Sequence, residues 1–455
     1  MSVNVKKLVL SASGSSSGNP YGELLTFTGN QNLYQATFDA SANLYGWFSN
    51  SAAYYKFNAG TYTRAWGKDH VYSMERDRTD MVINHQGTLL MTTQTSAAYN
   101  GVSLYSINTS DGSLINVLQF NVNAQNYNPV RWGKCISLNP DPNGGDAMLF
   151  FNCTFDTGTT VHCYFDQSQT SVTNGERYIS LSGNTTSEPM LDLVATGDAL
   201  ETRVLVGQTN AAVGINLWVA KIGKTNANYG NYYYNIRQSG GVQPSAGVNI
   251  AKNNTDSNNE YLVAGTVSNS SGNPSLFIST FNTSLDVNNF KVFSKVDSST
   301  DLKTSSGFYL RCLCDEDGYG YIVTADLFSS PTSTIILKVK LSDLSIQWQY
   351  RVHHSTDDFY PTTNLVHTYN ENQDLFFGSL KHGLIFSRDG LPTGTFGDLS
   401  VTETDLIEAT EFSIDTKTSL SGTFSNLSND TRSNATSITT LQDTTTVSAS
   451  SATLE

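Results

Sequence analysis

Charge is scarce in this chain. Of its 455 residues, 15% are Asp, Glu, Lys or Arg, too few to hold a chain open by self-repulsion, and the 38% that are hydrophobic are enough for a core. Lys and Arg number 26 against 40 Asp and Glu, for a formal net charge of −14. So few cations are a poor match for a phosphate backbone, and nucleic acid is not an expected partner. Nothing approaches the ~20 apolar residues of a membrane-spanning helix, so membrane insertion is not expected either. At the N-terminus Lys6 and Lys7 precede only Leu8, Val9 and Leu10, too short an apolar stretch for a secretory leader. The sequons opened by Asn108, Asn152, Asn184 and Asn282 then reflect composition. Cysteines are five, an odd number, and neither Cys135, Cys153 and Cys163 nor Cys312 and Cys314 have zinc-finger spacing. The expectation is buried free thiols in a reducing compartment, with a Cys153–Cys163 bridge across a hairpin as the alternative.

Aromatic residues are plentiful: 23 Tyr, 22 Phe and 5 Trp. They fall into a repeat. Seven times a short apolar strand meets a polar turn and then a second, strongly apolar strand, as in VINHQGTLLMTT and LCDEDGYGYIVTA. The turns are anchored by Asp39, Asn84, Asn139, Thr196, Asn253, Asp315 and Asn370, spaced 45 to 62 residues apart with a mean near 55. Asn, Asp and Gly are the residues tight turns require. A second hairpin follows each of these. Its return strand in one copy places Ile346, Trp348 and Tyr350 on one face and Gln347 and Gln349 on the other. Pro129, Pro189, Pro244 and Pro361 each precede a first strand, where a missing ladder donor does no harm.

Four antiparallel strands per repeat of about 55 residues predict an all-β fold, a β-propeller of seven blades over residues 30–400. A pair of β-sandwiches or a β-solenoid is the alternative. The last unit has only a weak fourth strand, Gly394 to Phe396, so an N-terminal segment within 1–29, either Val3 to Leu10 or Glu23 to Thr28, is expected to supply a closing strand. From residue 401 to 455 the chain turns to Ser, Thr, Asn and Asp. Residues 400–455 hold eight acidic residues against Lys417 and Arg432. A segment with so little core cannot order itself. Phe412, Ile414, Leu420 and Phe424 nevertheless keep period two, which predicts one long strand and a partner-binding, tethering tail, with a disordered tail as the alternative; either its partner is basic or its carboxylates face solvent.

The junctions between units carry the candidate ligand-binding residues: Arg64, Trp66, His70, Arg76 and Arg78 in the first, Tyr127, Arg131 and Trp132 in the second, His353, His354, Asp357 and Asp358 in the sixth. Arg clamps carboxylates and Tyr or Trp stacks on sugars; the alternative is solvated loop charges. Adjacent histidines point to opposite faces of an extended chain, so no metal is expected at His353 and His354. Asp315, Asp317 and Gly318 open like a calcium loop, but position 326 is Asp326 where a bidentate Glu is required. No nucleophile elbow, zinc-protease helix, phosphate loop, dinucleotide fingerprint or sialidase box is present. No catalytic residue, cofactor or enzymatic activity is therefore expected.

Leu337, Lys338, Ile346 and Trp348, with a weaker copy at Leu217 and Lys221, resemble blade repeats of bacterial and phage propeller proteins. In composition and repeat style the whole resembles a bacteriophage virion protein of the tail, fibre or decoration kind. That resemblance implies a structural or adhesion component located in the virion. Its partners would be other virion subunits in a symmetric or homo-oligomeric assembly and a host surface glycan. The other expectation is a glycan-binding or glycan-hydrolysing propeller.

Overall fold

The computed structural model describes residues 21–454 apart from a set of loops, the longest being 70–79, 95–100, 122–128, 138–147, 167–175, 182–189, 210–215, 296–308 and 435–441. The described chain is all-β, with a single short 3-10 turn at Ser257–Asn259. No helix among the described residues is long and apolar enough to cross a membrane. Seven antiparallel sheets follow one another in a propeller-like arrangement. Sheet 1 is Leu33–Phe38, Leu44–Phe48, Ala53–Phe57 and Arg64–Asp69. Sheets 2 to 5 repeat that order from Asp80–Ile83, Pro129–Trp132, Met190–Ala195 and Ser245–Lys252. Sheet 6 is Leu310–Cys314, Tyr319–Asp326, Ser333–Lys340 and Ile346–His354.

Turn chemistry explains the repeat. Asp39 Oδ1 accepts the amides of Ser41 and Asn43 at 2.9 and 3.0 Å, Asn84 Oδ1 that of Thr88 at 2.8 Å, and Asp315 Oδ1 those of Asp317 and Tyr319 at 3.0 and 2.8 Å. A short polar side chain thus replaces a backbone acceptor in the first hairpin of these units, and Asn253 and Asn370 do the same for Thr255 N and Asp374 N. Asn139 lies outside the described residues.

The sheets are apolar on both faces because each packs between two neighbours. One core cluster joins Leu262 and Ile278 of sheet 5 to Ile322 and Leu337 of sheet 6; another joins Tyr321 and Ile336 to Phe377 and Leu384 of sheet 7. A third joins Phe376 and Ile385 of sheet 7 to Ala36 and Phe48 of sheet 1, and a fourth joins Trp47 and Tyr54 to Met91 and Tyr105 of sheet 2. Full burial of side chains this large contributes about 2–3 kcal/mol each. Cys312 and Cys314 are buried free thiols in this layer.

Sheet 7 draws on both ends of the chain. Val366–His367, Leu375–Ser379 and His382–Phe386 are completed by Gly22–Thr28, the N-terminal strand expected to close the unit. Val3 to Leu10 lies outside the described residues. The expectation for Gly394–Phe396 is corrected: it pairs with Leu399–Glu403 at the outer edge of sheet 6, not in the last unit.

The tail differs most from expectation. Phe412 to Phe424 is not one strand. Leu399–Glu403 adds to sheet 6, Leu406–Glu408 to sheet 5 and Phe412–Ile414 to a small sheet with Ile236–Gln238 and Gly241–Gln243. Thr418–Ser419 then adds to sheet 4, Gly422–Ser425 to sheet 3, Thr431–Asn434 to sheet 2 and Gln442–Asp443 to sheet 1. Ser448–Leu454 finally pairs with Gly22–Thr28. The tail is a belt that visits the outer edges in reverse order. One straight strand cannot pair with successive sheets that fan apart, so period two breaks wherever the chain crosses to the next edge. Among the described residues the belt's partner is the chain's own succession of sheets, and two belt carboxylates meet cations there: Arg237 lies 2.8 Å from Asp415 and Lys291 lies 2.9 Å from Glu408.

Candidate functional site

Equivalent positions on the innermost strands, or just before them, line up near the axis. Gln35, Asp80, Asp192, Asn249 and Arg311 each stand four residues before a turn anchor, and Asn364 stands four before Thr368, whose amide bonds Asp374 O as that of Thr196 bonds Thr202 O. Their side chains tie strand to strand. Asp192 Oδ2 accepts Ile250 N at 2.8 Å, Asn249 Oδ1 accepts Cys312 N at 2.9 Å, and Asn364 Nδ2 donates to Asp80 Oδ1 at 2.6 Å. Arg311 is buried among them. Desolvation lowers its pKa, while the Asp192 and Asp80 carboxylates act in the opposite direction. These groups hold the wall together.

A second set of bonds clasps sheet 1 to sheet 2 and sheet 6 to sheet 7 at the opposite end from the junctions. Trp66 Nε1 and Lys56 Nζ both donate to Thr109 O, at 3.2 and 3.1 Å. Trp348 Nε1 and Lys338 Nζ both donate to Arg388 O, at 3.2 and 2.9 Å. The Lys and Trp at these positions therefore have a packing role, and the indole N–H of Trp66 is spent on the clasp. Arg64 opens the same strand at that same end. His70, Arg76, Arg78 and Tyr127 fall outside the described residues. Arg131 and Trp132 lie on Pro129–Trp132 of sheet 3.

The sixth junction does bring candidates together. As the alternation of an extended chain requires, His353 and His354 diverge. His353 Nδ1 lies 3.4 Å from Ser333 Oγ beside Arg351, and desolvation with the Arg351 and His354 charges pushes its pKa down. Asp358 Oδ1 accepts Thr332 N at 2.8 Å, a bond that ties the junction to the turn before Ser333–Lys340. His354, 5% exposed, turns inward and meets Asp357 and His382, the latter 4% exposed. Asp357 Oδ2 lies 3.2 Å from His382 Nε2 and 3.9 Å from His354 Nδ1, and the two imidazoles stack with centroids 4.5 Å apart. Asp357 Oδ1 faces Lys381 Nζ at 3.2 Å. Burial raises the Asp357 carboxyl, but bonds from His382 and Lys381 outweigh it and hold the pKa low. Burial keeps His382 neutral by lowering its pKa.

This corrects two expectations. A group of three side chains able to ligate a metal is present, so neither "no metal" nor "no enzymatic capacity" follows from the missing motifs. The sequence reading failed because it weighed His354 only against its chain neighbour. His382 comes from a different hairpin. Its one visible signal was that four of the chain's seven histidines, His353, His354, His367 and His382, crowd into thirty residues.

Beside this cluster, tyrosines gather where chain enters the innermost strands. Tyr309 leads into sheet 6, Tyr360 leads towards sheet 7 and Tyr34 opens sheet 1; all three are half-buried. The Tyr309 and Tyr360 rings meet edge to face at 4.6 Å. Burial, with the Tyr309 and Tyr34 phenols and the Asp358 carboxylate nearby, pushes the Tyr360 phenol well up. Tyr360 N donates to Ser379 Oγ at 2.9 Å, which anchors the segment that also carries Asp357.

No family model and no curated protein matches this chain. Among solved structures it is similar to Drosophila Semaphorin 1a, extracellular domains 1-2, at 10% identity over 80% of this chain and 87% of that one, with a TM-score of 0.45. It is similar to the uncharacterized protein lmo1340 from Listeria monocytogenes EGD-e at 9% identity, over 81% and 97%, with a TM-score of 0.43. A GH43 glycoside hydrolase with an engineered active site is more distant, at 9% identity over 84% of each chain and a TM-score of 0.25.

Proposed function

We propose that the seven sheets are the blades of one closed ring, and that the ring is a rigid binding module for polyhydroxyl ligands of the glycan class. The junction-loop end is its ligand face. The observation that carries this reading is the convergence of Tyr34, Tyr309 and Tyr360 from three separate junctions, with Asp357 and Lys381 beside them. Aromatic faces take the C–H faces of sugar rings, while carboxylate and ammonium groups take hydroxyls. The axial bonds and the clasps supply the rigidity that keeps such a surface preorganised. A setting in a bacteriophage particle remains part of the proposal, supported by composition and repeat style. With the belt committed to its own ring, neighbouring virion subunits would be met by loops.

The test is oligosaccharide binding by the full chain, measured on a glycan array and by calorimetry. Binding should fall at least ~10-fold in Tyr360→Ala and Tyr309→Ala, since aromatic contacts of this kind contribute about 1–2 kcal/mol. Absence of any saccharide ligand, or binding unchanged in both variants, overturns the reading. Crosslinking in the native assembly tests the setting: virion subunits are expected, and exclusively other partners would remove it.

A further inference from the structure

The geometry points to a divalent metal site formed by His354, Asp357 and His382 at the junction of sheets 6 and 7. We infer that it takes a first-row ion of borderline softness, of which Zn²⁺ and Co²⁺ are the probes. This deepens the ligand face proposed above and rests on it only for what binds beyond the metal.

Three features make the cluster a site rather than a chance gathering. The first is distance. An ion with ~2.1 Å bonds in tetrahedral geometry separates its donors by roughly 3.4 Å. The separations of 3.2 and 3.9 Å from Asp357 Oδ2 bracket that value, and all three donor atoms lie within 4.8 Å of one another. The second is the state of the donors. His354 Nδ1 accepts the Asp357 amide at 3.1 Å, with Thr356 N and Oγ1 each 3.4 Å away, so it carries a lone pair rather than a proton, and that lone pair is held by the turn beside the cluster. An ion takes over that lone pair and releases the amide to solvent.

The third is support from behind. His382 Nδ1 lies 3.5 Å from Thr26 Oγ1, and Thr26 is the strand partner of His382 on one side and of Ser450 on the other. His354 pairs with Leu399, and Ser355 N donates to Asp398 O at 2.8 Å. The first belt segment thus holds the strand that carries His354, and Gly22–Thr28, itself paired with the last belt segment, holds the strand that carries His382. Outer contacts of this kind orient metal-ligating imidazoles.

Two imidazoles and one carboxylate select the ion class. Calcium takes six to eight oxygens and magnesium prefers water and carboxylate, whereas imidazole suits zinc, cobalt, iron and nickel. Three protein donors leave at least one position open in a tetrahedral ion. Both rings are buried and the Asp357 side chain is 32% exposed, so the open position faces solvent past Asp357. An oxygen donor, water or a ligand hydroxyl, completes the coordination there.

The experiment strips the full chain with a chelator and titrates it with Zn²⁺ by calorimetry and with Co²⁺ by visible absorption. One ion per chain is expected, with the intense d–d bands of a low-coordinate Co²⁺ centre. His382→Ala and Asp357→Asn should each weaken binding ~100-fold or more, and Thr26→Val by about 10-fold. Asp357→Asn keeps size and shape, so it reads metal loss even if His382→Ala fails to fold. No bound ion, or binding that persists unchanged in Asp357→Asn and His354→Gln, overturns the site. Tyr309→Ala should leave metal affinity unchanged. Saccharide binding without metal binding therefore sinks this inference alone, and metal binding without saccharide binding sinks the glycan reading alone.

Discussion

Asp39 shows how much one side chain decides. Its carboxylate takes the amides of Ser41 and Asn43, the Asn43 amide group and the Tyr45 hydroxyl at 2.9 Å. Burial alone would raise its pKa, but the bonds from Asn43, Tyr45 and Ser41 prevail and hold it below the ordinary value. A depressed folded pKa contributes stability above the unfolded value of about 3.9, and that contribution is lost as pH falls through the folded pKa. Asp39→Ala should therefore cost about 1–2 kcal/mol at neutral pH, and the gap from the parent chain should narrow below pH ~4. Urea midpoints at pH 7 and pH 3 measure it; an equal cost at both would mean that the charge is irrelevant to the turn. Asn364 makes the same point at the axis. Asn364→Ala removes the 2.6 Å bond to the buried Asp80 and should cost about 1.5–3 kcal/mol, read as a lower urea midpoint at unchanged slope. These anchors were legible in the sequence because a turn is local. The bond across to Asp80 was not, since 284 residues separate the pair.

At the scale of elements the belt dominates. Outer strands of such sheets present unpaired backbone groups, a template for association with other chains. The belt satisfies the ends nearest the junctions: Tyr350–His354 within Ile346–His354, Phe293–Lys295 within Val287–Lys295, Leu118–Asn121 within Leu114–Asn121. A chain ending at residue 398 should keep its sheets but lose thermal stability and gain a tendency to self-associate. Thermal unfolding and light scattering report the two effects, and a truncated chain as stable and monodisperse as the full one would assign the belt no such role. The sequence announced strand-like periodicity in this segment. It did not announce the partner, because Ser and Thr strands carry no apolar face that names the sheet they join.

For the whole molecule, the meeting of the first and last described strands in one sheet is the deciding event. Gly22–Thr28 lies between His382–Phe386 and Ser448–Leu454, so both ends of the chain meet in sheet 7. Sheet 7 then meets sheet 1 at close range. A Cβ on Gly378 would stand 2.5 Å from both Leu33 and Thr363 side chains. Gly378→Ala should cost about 1–3 kcal/mol through overpacking, with faster unfolding as the kinetic sign of a loosened seam. A stability equal to the parent's would show that the seam can give way.

By itself the sequence determined strand content, the number of units, the turn residues and the layer between sheets that holds the aromatics. All of these follow from period two and from side chains acting within a few residues of themselves. Only the tertiary structure decided that the tail belongs to its own ring, that Trp66 clasps a neighbouring sheet, and that His382 joins His354 and Asp357. Those outcomes depend on which edges closure brings side by side, a property of the assembled sheets that no local pattern encodes.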